Sequence, residues 1–321
     1  MSALLERLGV EHPVVQAGMG AGAAGAPLAA AVSEAGGLGT IGFVAPDALR
    51  REIAEARERT SRPVAVNLLL PFARGEHWEA AAGADAVVTF WGRPRRLSGG
   101  VWLHQCGSLE EAAAARAAGA DGVILQGVEA GGHVRGEVPA HALLERARAA
   151  LPQGFPLLLA GGMAGRDDVA AALDAGAEAA VLGTRFLMTE ESGAHPGYKQ
   201  RVAEARETLL TELFGLGWPG RHRVVPNAAT RRWAARDPLG PGWVRALNRA
   251  TAPVAARMQA DLGSFPGRSQ RPGVPFFSPL LATGAAPERL LDATPLYAGE
   301  SALRIADVRP AGELVRELAG L

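Results

Sequence analysis

Eight short apolar runs, each followed by a Gly-rich or polar turn and most by an Ala-rich stretch of helical spacing, predict an α/β protein. The architecture they imply is a (β/α)8 TIM barrel with an added helical and loop segment. The runs are PVVQ (13–16), LGTIG (38–42), VAVNL (64–68), AVVTF (86–90), VWLHQ (101–105), GVILQ (122–126), PLLLA (156–160) and AAVLG (179–183). They are nearly continuous in apolar residues rather than alternating, as parallel strands covered on both faces must be. Between them, LAAAVSEAG, PDALRREIAEARERT, SLEEAAAARAAG, ALLERARAAL and GRDDVAAALDAG read as helices, several stopped by glycine. Three joints repeat one phrase, AGADAVV, AGADGVI and AGAEAAV: a helix ends at Ala-Gly-Ala and an acidic residue precedes the next buried strand.

One unit is short. Only WGRPRRLSGG (91–100) joins the fourth run to the fifth, too little for a crossover helix with its two turns, so that helix is expected to be rudimentary or missing. After residue 185 the rhythm stops. GYKQRVAEARETLLTELFG has helical spacing, and residues 217–290 are dense in Pro, Arg and Trp (Trp218, Trp233, Trp243) with no clear strand signal. The tail SALRIADVRPAGELVREL is amphipathic and is expected to return as a final outer helix. The expected division is a barrel over 1–215, a substrate-capping helical and loop segment over 216–290, and a return to the barrel over 291–321.

Composition excludes several classes of function. The 33 basic residues, of which Lys199 is the only lysine, balance 33 acidic ones, so there is no net field to attract nucleic acid or an anionic membrane. The single cysteine, Cys106, admits neither an internal disulfide framework nor a cysteine-cluster metal site, and no metal ligand set is expected. Glu6, Arg7, Glu11 and His12 interrupt the first apolar stretch, unlike a signal peptide, and no run reaches the roughly 20 apolar residues of a membrane span. A cytoplasmic enzyme acting on a small molecule is the expectation, with monomer and homodimer both open.

Functional groups of a parallel barrel sit on the loops that follow the strands. Gly161 and Gly162 follow the seventh strand, and Gly183 and Thr184 the eighth, the two loops whose backbone N–H groups commonly hold a phosphate. One glycine pair alone is a tight turn; two in successive units point to a phosphate. His133 follows the sixth strand behind Gly131 and Gly132, and its ordinary pKa suits proton transfer near neutrality, so it is the candidate base. Glu129 and Glu137 nearby read as solvated or helix-capping carboxylates. Asn67, Gln105 and Gln126 each end a strand with an uncharged amide; singly, each is as readily a tie between two loops, while together they suit the edge of a flat cofactor. Gly20-Ala-Gly22-Ala-Ala-Gly25 matches a dinucleotide fingerprint, but the second strand ends without the acidic residue that would hold a ribose. Walker A, HExxH and GxSxG patterns are absent.

HPVVQAGMG with AAAVSEAGGLGTIGF, then VAVNL, QGVEAGGHVRG and LAGGMAGRDDVAAALDAGAEAAVLGTRFLMTEESGAHPGYK, in order through most of the first 200 residues, resemble the signatures of nitronate monooxygenases, formerly 2-nitropropane dioxygenases. The resemblance implies non-covalent FMN held by Asn67, Gln126, Gly131, Gly162 and Val181 to Thr184, with Leu182 and Gly183 between them, and His133 as base. Gly18, Met19, Gln105, Gly132 and Gly161 complete the expected cofactor contacts. Two segments depart from the pattern the family often has: Val181-Leu182-Gly183-Thr184 stands for Gln-Met-Gly-Thr, and Gly18-Met19 for Pro-Met. The implied reaction is oxidation of an alkyl nitronate by O2 to a carbonyl compound and nitrite, with His133 removing the α-proton from a neutral nitroalkane first. Enoyl-acyl carrier protein reductases and NADH:quinone reductases share the Gly-Gly-His turn and are the alternative. A flavin-binding module without turnover and a Rossmann dehydrogenase have less support.

Overall fold

The computed structural model describes residues 3–94, 100–257 and 269–321. Eight strands, Val14–Gln16, Gly39–Ile41, Val64–Leu69, Ala86–Phe90, Val101–Cys106, Gly122–Gln126, Leu157–Ala160 and Ala179–Leu182, pair in parallel in the order one-eight-seven-six-five-four-three-two. A bridge between Val15 and Leu38 closes the ring, with Leu38 N–H donating to Val14 C=O at 3.0 Å and Gln16 N–H to Leu38 C=O at 2.9 Å. The eight predicted strands agree with these to within a residue at each end.

The repeated acidic joint has a physical task. Asp85 accepts the N–H of Val64 (2.7 Å) and Asp121 that of Trp102 (2.8 Å), so each carboxylate ties the start of one strand to its neighbour. Gly119 and Gly176, at φ 94°, turn the preceding helices off through a left-handed conformation. The connection predicted to lack a helix has none in its described part, residues 91–94 and 100; residues 95–99 lie outside the described residues.

The helix Ala3–Leu8 sets Leu4, Leu5 and Leu8, with Val10, against the inward side chains Val15, Ala65, Leu103, Ile124 and Leu158, and so plugs the N-terminal mouth of the barrel. At the opposite end the functional loops are left open. Directly after the eighth strand comes a single helical turn, Thr184–Leu187; the outer position of an eighth helix is taken by Ala311–Ala319. Its Leu314, Val315 and Leu318 pack with Leu28 and Val32 on one side and Val169 on the other, and the Glu191 carboxylate accepts the N–H of Ala311. The expected return of the tail as an outer helix is therefore observed.

Two expectations for the added segment need correction. The helical spacing of 197–215 ends early: the helix is Pro196–Ala203, and Leu209–Thr211 is a strand. Residues 217–290 also contain a strand, His222–Val224, too short for an alternating pattern to register. These two pair antiparallel, and His222–Val224 pairs in turn with Gly132–His133, so partners distant in sequence override the local helical signal.

On the outer side of the fourth and fifth strands, buried His104 places Nδ1 2.7 Å from Thr89 Oγ1, which also accepts Trp102 Nε1–H at 2.8 Å. Burial, and secondarily the Arg135 charge, push the imidazole down to about 4.

Two predictions follow from this packing. A Cβ on Gly39 would lie 1.9 Å from the carbonyl oxygen of Ala29, so Gly39→Ala should separate helix Ala26–Glu34 from the second strand and cost about 1–3 kcal/mol or more in urea unfolding. Below pH 6.5 the unfolded chain protonates His104 while the folded one does not until about pH 4, so stability should fall across that window and level off beneath it. Urea midpoints in His104→Gln should depend less on pH over that interval; an unchanged slope would contradict the assignment.

Candidate functional site

All fourteen residues expected at the site line one cavity at the C-terminal mouth of the barrel: His133, Gly18, Met19, Asn67, Gln105, Gln126, Gly131, Gly132, Gly161, Gly162, Val181, Leu182, Gly183 and Thr184. Trp218 and Leu280 from the added segment and Tyr297 from the C-terminal return complete its wall.

The wall begins at Gln16, whose carboxamide accepts Thr40 N–H (2.9 Å) and donates to Thr40 C=O (3.1 Å), extending the narrow seam between the first two strands. The chain then crosses toward the second and third strands without side-chain bulk. A Cβ on Gly18 would stand 2.4 Å from Asn67 Cβ, and one on Gly42 1.9 Å from Met19 C=O. Gly18 is thus required for the approach to Asn67, whatever else it touches.

Gly161 and Gly162 have φ 131° and 71°, open to glycine and strained for other residues. The Gly162 carbonyl accepts from Arg304 Nη2 (2.7 Å), and Arg304 Nη1 pairs with Asp168 (3.0 Å). Thr184 Oγ1 accepts Gly299 N–H at 2.9 Å, and a Cβ on Gly131 would lie 2.4 Å from Gly299 N, so the C-terminal return backs both glycine turns.

Nearby helix N-termini are already occupied by the chain's own carboxylates. Glu52 accepts Ala26 N–H (2.5 Å), Glu129 accepts Ala140 N–H (3.2 and 3.1 Å), and Asp168 accepts the N–H groups of Ala164 and Gly165 (2.7 and 3.1 Å). The fingerprint Gly20 to Gly25 therefore leads into a helix whose anion site is filled. Glu129 is a capping group, and Glu137 an exposed partner of Arg221 (2.6 Å), in keeping with the reading that neither is part of an acid/base pair.

Gln126 uses both ends of its amide on the next loop, donating to His133 C=O (3.0 Å) and accepting Arg135 N–H (2.9 Å). Of the two tasks open to it, the tie between loops is the one observed. The same loop is held from outside by pairing with His222 and Arg223, by Val134 N–H donating to Arg221 C=O (2.8 Å), and by Arg223 Nε and Nη2 donating to Val128 C=O (3.2 and 2.8 Å).

His133 is 7% exposed, stacked on Trp218 with ring centroids 3.6 Å apart and planes at 10°, and flanked by Trp91, His222 and Tyr297 at 5.2–5.6 Å. Its buried Nε2 has no hydrogen-bond partner among the described residues. Burial, then the His222 ring beside it, hold the imidazole well below its ordinary range, against a backbone hydrogen bond to Trp218. His222 accepts Phe214 N–H at Nε2 (3.1 Å), so its proton is on Nδ1, directed to Gly220 C=O (3.0 Å); burial lowers it to about 4. Both rings are thus neutral near pH 7, and only His133 keeps an acceptor unused.

Sequence reasoning missed Trp218, Tyr297 and His222. Trp218 lies in a Leu-Gly-Trp-Pro-Gly turn where Gly217 (φ 79°) reverses the chain, and an aromatic residue amid turn formers was the available signal. Tyr297 and His222 carry no comparable mark.

A cavity with glycine turns where a Cβ would collide, uncharged amides and one unpaired base has the donor set of a flavin site. The nitronate monooxygenase family model matches residues 1–92 and 93–320. A nitronate monooxygenase of Paraburkholderia phytofirmans is 31% identical over 313 residues, covering 79% of this chain and 82% of the relative. A hydroxy-methyl-oxo-octahydro-indene-carboxyl-CoA dehydrogenase of Mycobacterium tuberculosis is 36% identical over 236 residues, covering 69% and 65%. The crystal structure of nitroalkane oxidase from Streptomyces ansochromogenes superposes with a TM-score of 0.75 at 29% identity, over 99% of this chain and 97% of that one. The chain belongs to the nitronate monooxygenase family and is a flavin-dependent oxidoreductase of that type.

Proposed function

We propose that this protein binds FMN and uses O2 to oxidise alkyl nitronates, and nitroalkanes after deprotonation, to carbonyl compounds and nitrite. The observation that carries the reading is the unpartnered Nε2 of His133 in the same cavity as the two glycine turns. In this reading backbone groups at Gly161, Gly162, Gly183 and Thr184 hold the phosphate, and Gly18, Met19, Asn67, Gln105, Gly131, Gly132, Val181 and Leu182 border the ring system. Gln126 borders it too, while holding the His133 loop. The bound flavin supplies electron acceptance from the substrate and return to oxygen.

The chain's own residues bind, orient and move the proton. His133 Nε2 accepts the α-proton of a neutral nitroalkane; its neutral state at pH 7 leaves that lone pair available. The Trp218, Tyr297 and Leu280 side chains keep water from the imidazole. The division into a barrel over 1–215, a capping segment over 216–290 that sets the substrate, and a return over 291–321 belongs to the same proposal.

The alternative is an NAD(P)H-dependent reductase on the same scaffold, acting on an enoyl thioester or a quinone. The identity to a relative named as an octahydro-indene-carboxyl-CoA dehydrogenase, which acts on a thioester, favours keeping it. Rapid anaerobic bleaching by NADH or NADPH, with no aerobic nitrite release, would select it.

Purified protein should be yellow and release nitrite from propyl-2-nitronate in air. His133→Ala should lower turnover of neutral nitroalkane by about 10²–10⁴-fold and that of preformed nitronate far less; equal losses would remove the base. Because burial lowers the His133 pKa, the acid limb of nitroalkane kcat/KM against pH should lie below 6.5; a limb above that value would contradict a neutral buried base.

A further inference from the structure

Trp218 carries a second buried polar atom that the protein leaves unused. Its Nε1–H has no acceptor among the described residues, although the atom is out of contact with solvent. A buried donor without a partner is costly, and the great majority of such groups are bonded. The indole is also firmly fixed. Its face lies on the His133 imidazole at 3.6 Å, Phe72 and Trp91 meet it edge-on at 5.5 Å each, and its backbone N–H donates to Gly215 C=O at 3.0 Å. Trp91 itself holds a left-handed backbone (φ 64°), which a non-glycine residue adopts at a cost. Gly220 leaves room for it: a Cβ there would lie 2.6 Å from the Trp91 ring.

One aromatic stack therefore carries an unused acceptor, His133 Nε2, and an unused donor, Trp218 Nε1–H, on two residues that line one cavity. We propose that Trp218 is a catalytic residue that donates a hydrogen bond to the substrate oxygen on which negative charge develops. When His133 Nε2 takes the α-proton, the C–H bond breaks, an N–H bond forms, and the electron pair moves onto the nitro group. The indole keeps its proton and stabilises the nitronate oxygen. A donor already fixed and dehydrated before the reaction favours the charged state over the neutral substrate. This rests on the base reading of His133 and deepens it: the substrate is one whose deprotonation places charge on an oxygen within reach of the indole.

Trp218→Phe, in the full-length protein with FMN bound, keeps the stacking ring and removes only the donor. It should lower nitroalkane kcat/KM by about tenfold to a hundredfold, and raise KM for preformed nitronate. The FMN dissociation constant, read from flavin fluorescence, and the Tm should stay unchanged. Wild-type kinetics in this variant would overturn the proposal while leaving His133 in place; a harmless His133→Ala would instead overturn the reading beneath it. A measurement without substitution guards against a misfolded variant. In ¹⁵N-indole-labelled wild-type holoenzyme, saturating isobutyrate, an inert anion with the same two-oxygen fork, should shift one of the six tryptophan N–H resonances downfield. No shift, with turnover fully inhibited by isobutyrate, would also overturn the proposal.

Discussion

The site depends on one backbone pairing, that of Gly132–His133 with His222–Val224. A two-residue strand has no stability of its own, and a barrel loop with glycines at 131 and 132 would otherwise sample many conformations. Bonds from both sides remove that freedom. Gln126 secures the loop from within the barrel, while Arg221 and Arg223 bond it from the added segment. The same pairing brings His222 and Trp218 against the imidazole, so the elements that position His133 also dehydrate it and keep it neutral. An imidazole held this way is less basic than a free histidine and stays deprotonated near neutral pH.

The treatment of anion sites is equally economical. Barrel helices point their N-termini toward the functional face, and each is a potential anion site. Glu52, Glu129 and Asp168 fill three of them. The glycine turns at 161–162 and 183–184 are braced from behind, by Arg304 at one and Gly299 at the other.

Both ends of the chain complete the barrel. The first helix plugs its floor, and the last fills the outer layer where an eighth crossover helix would lie. Between them the tail passes the functional face, which places Tyr297, Gly299 and Arg304 at the site before the helix docks. The described residues of the excursion through 196–310 thus stand in the chain between the eighth strand and the helix that completes its outer layer.

The barrel was legible because its signals are local: strands buried on both faces read as continuous apolar runs, and their joints repeat an Ala-Gly-Ala-acid phrase, in which the Asp85 and Asp121 carboxylates bond the neighbouring strand. The residues around the cavity were legible for a related reason, since barrel geometry assigns every loop after a strand to one face. Non-local pairing decided the rest. Leu209–Thr211 has helical spacing and became a strand because Val224 and His222 stand opposite; Gln126, open to two roles by type, became a tie because His133 and Arg135 present matching backbone groups. The order of residues determined which groups reach the mouth of the barrel. Only the folded chain decided that Trp218 lies on His133 and that each keeps a polar atom unused, because contacts made across 85 residues leave no periodic trace in either segment.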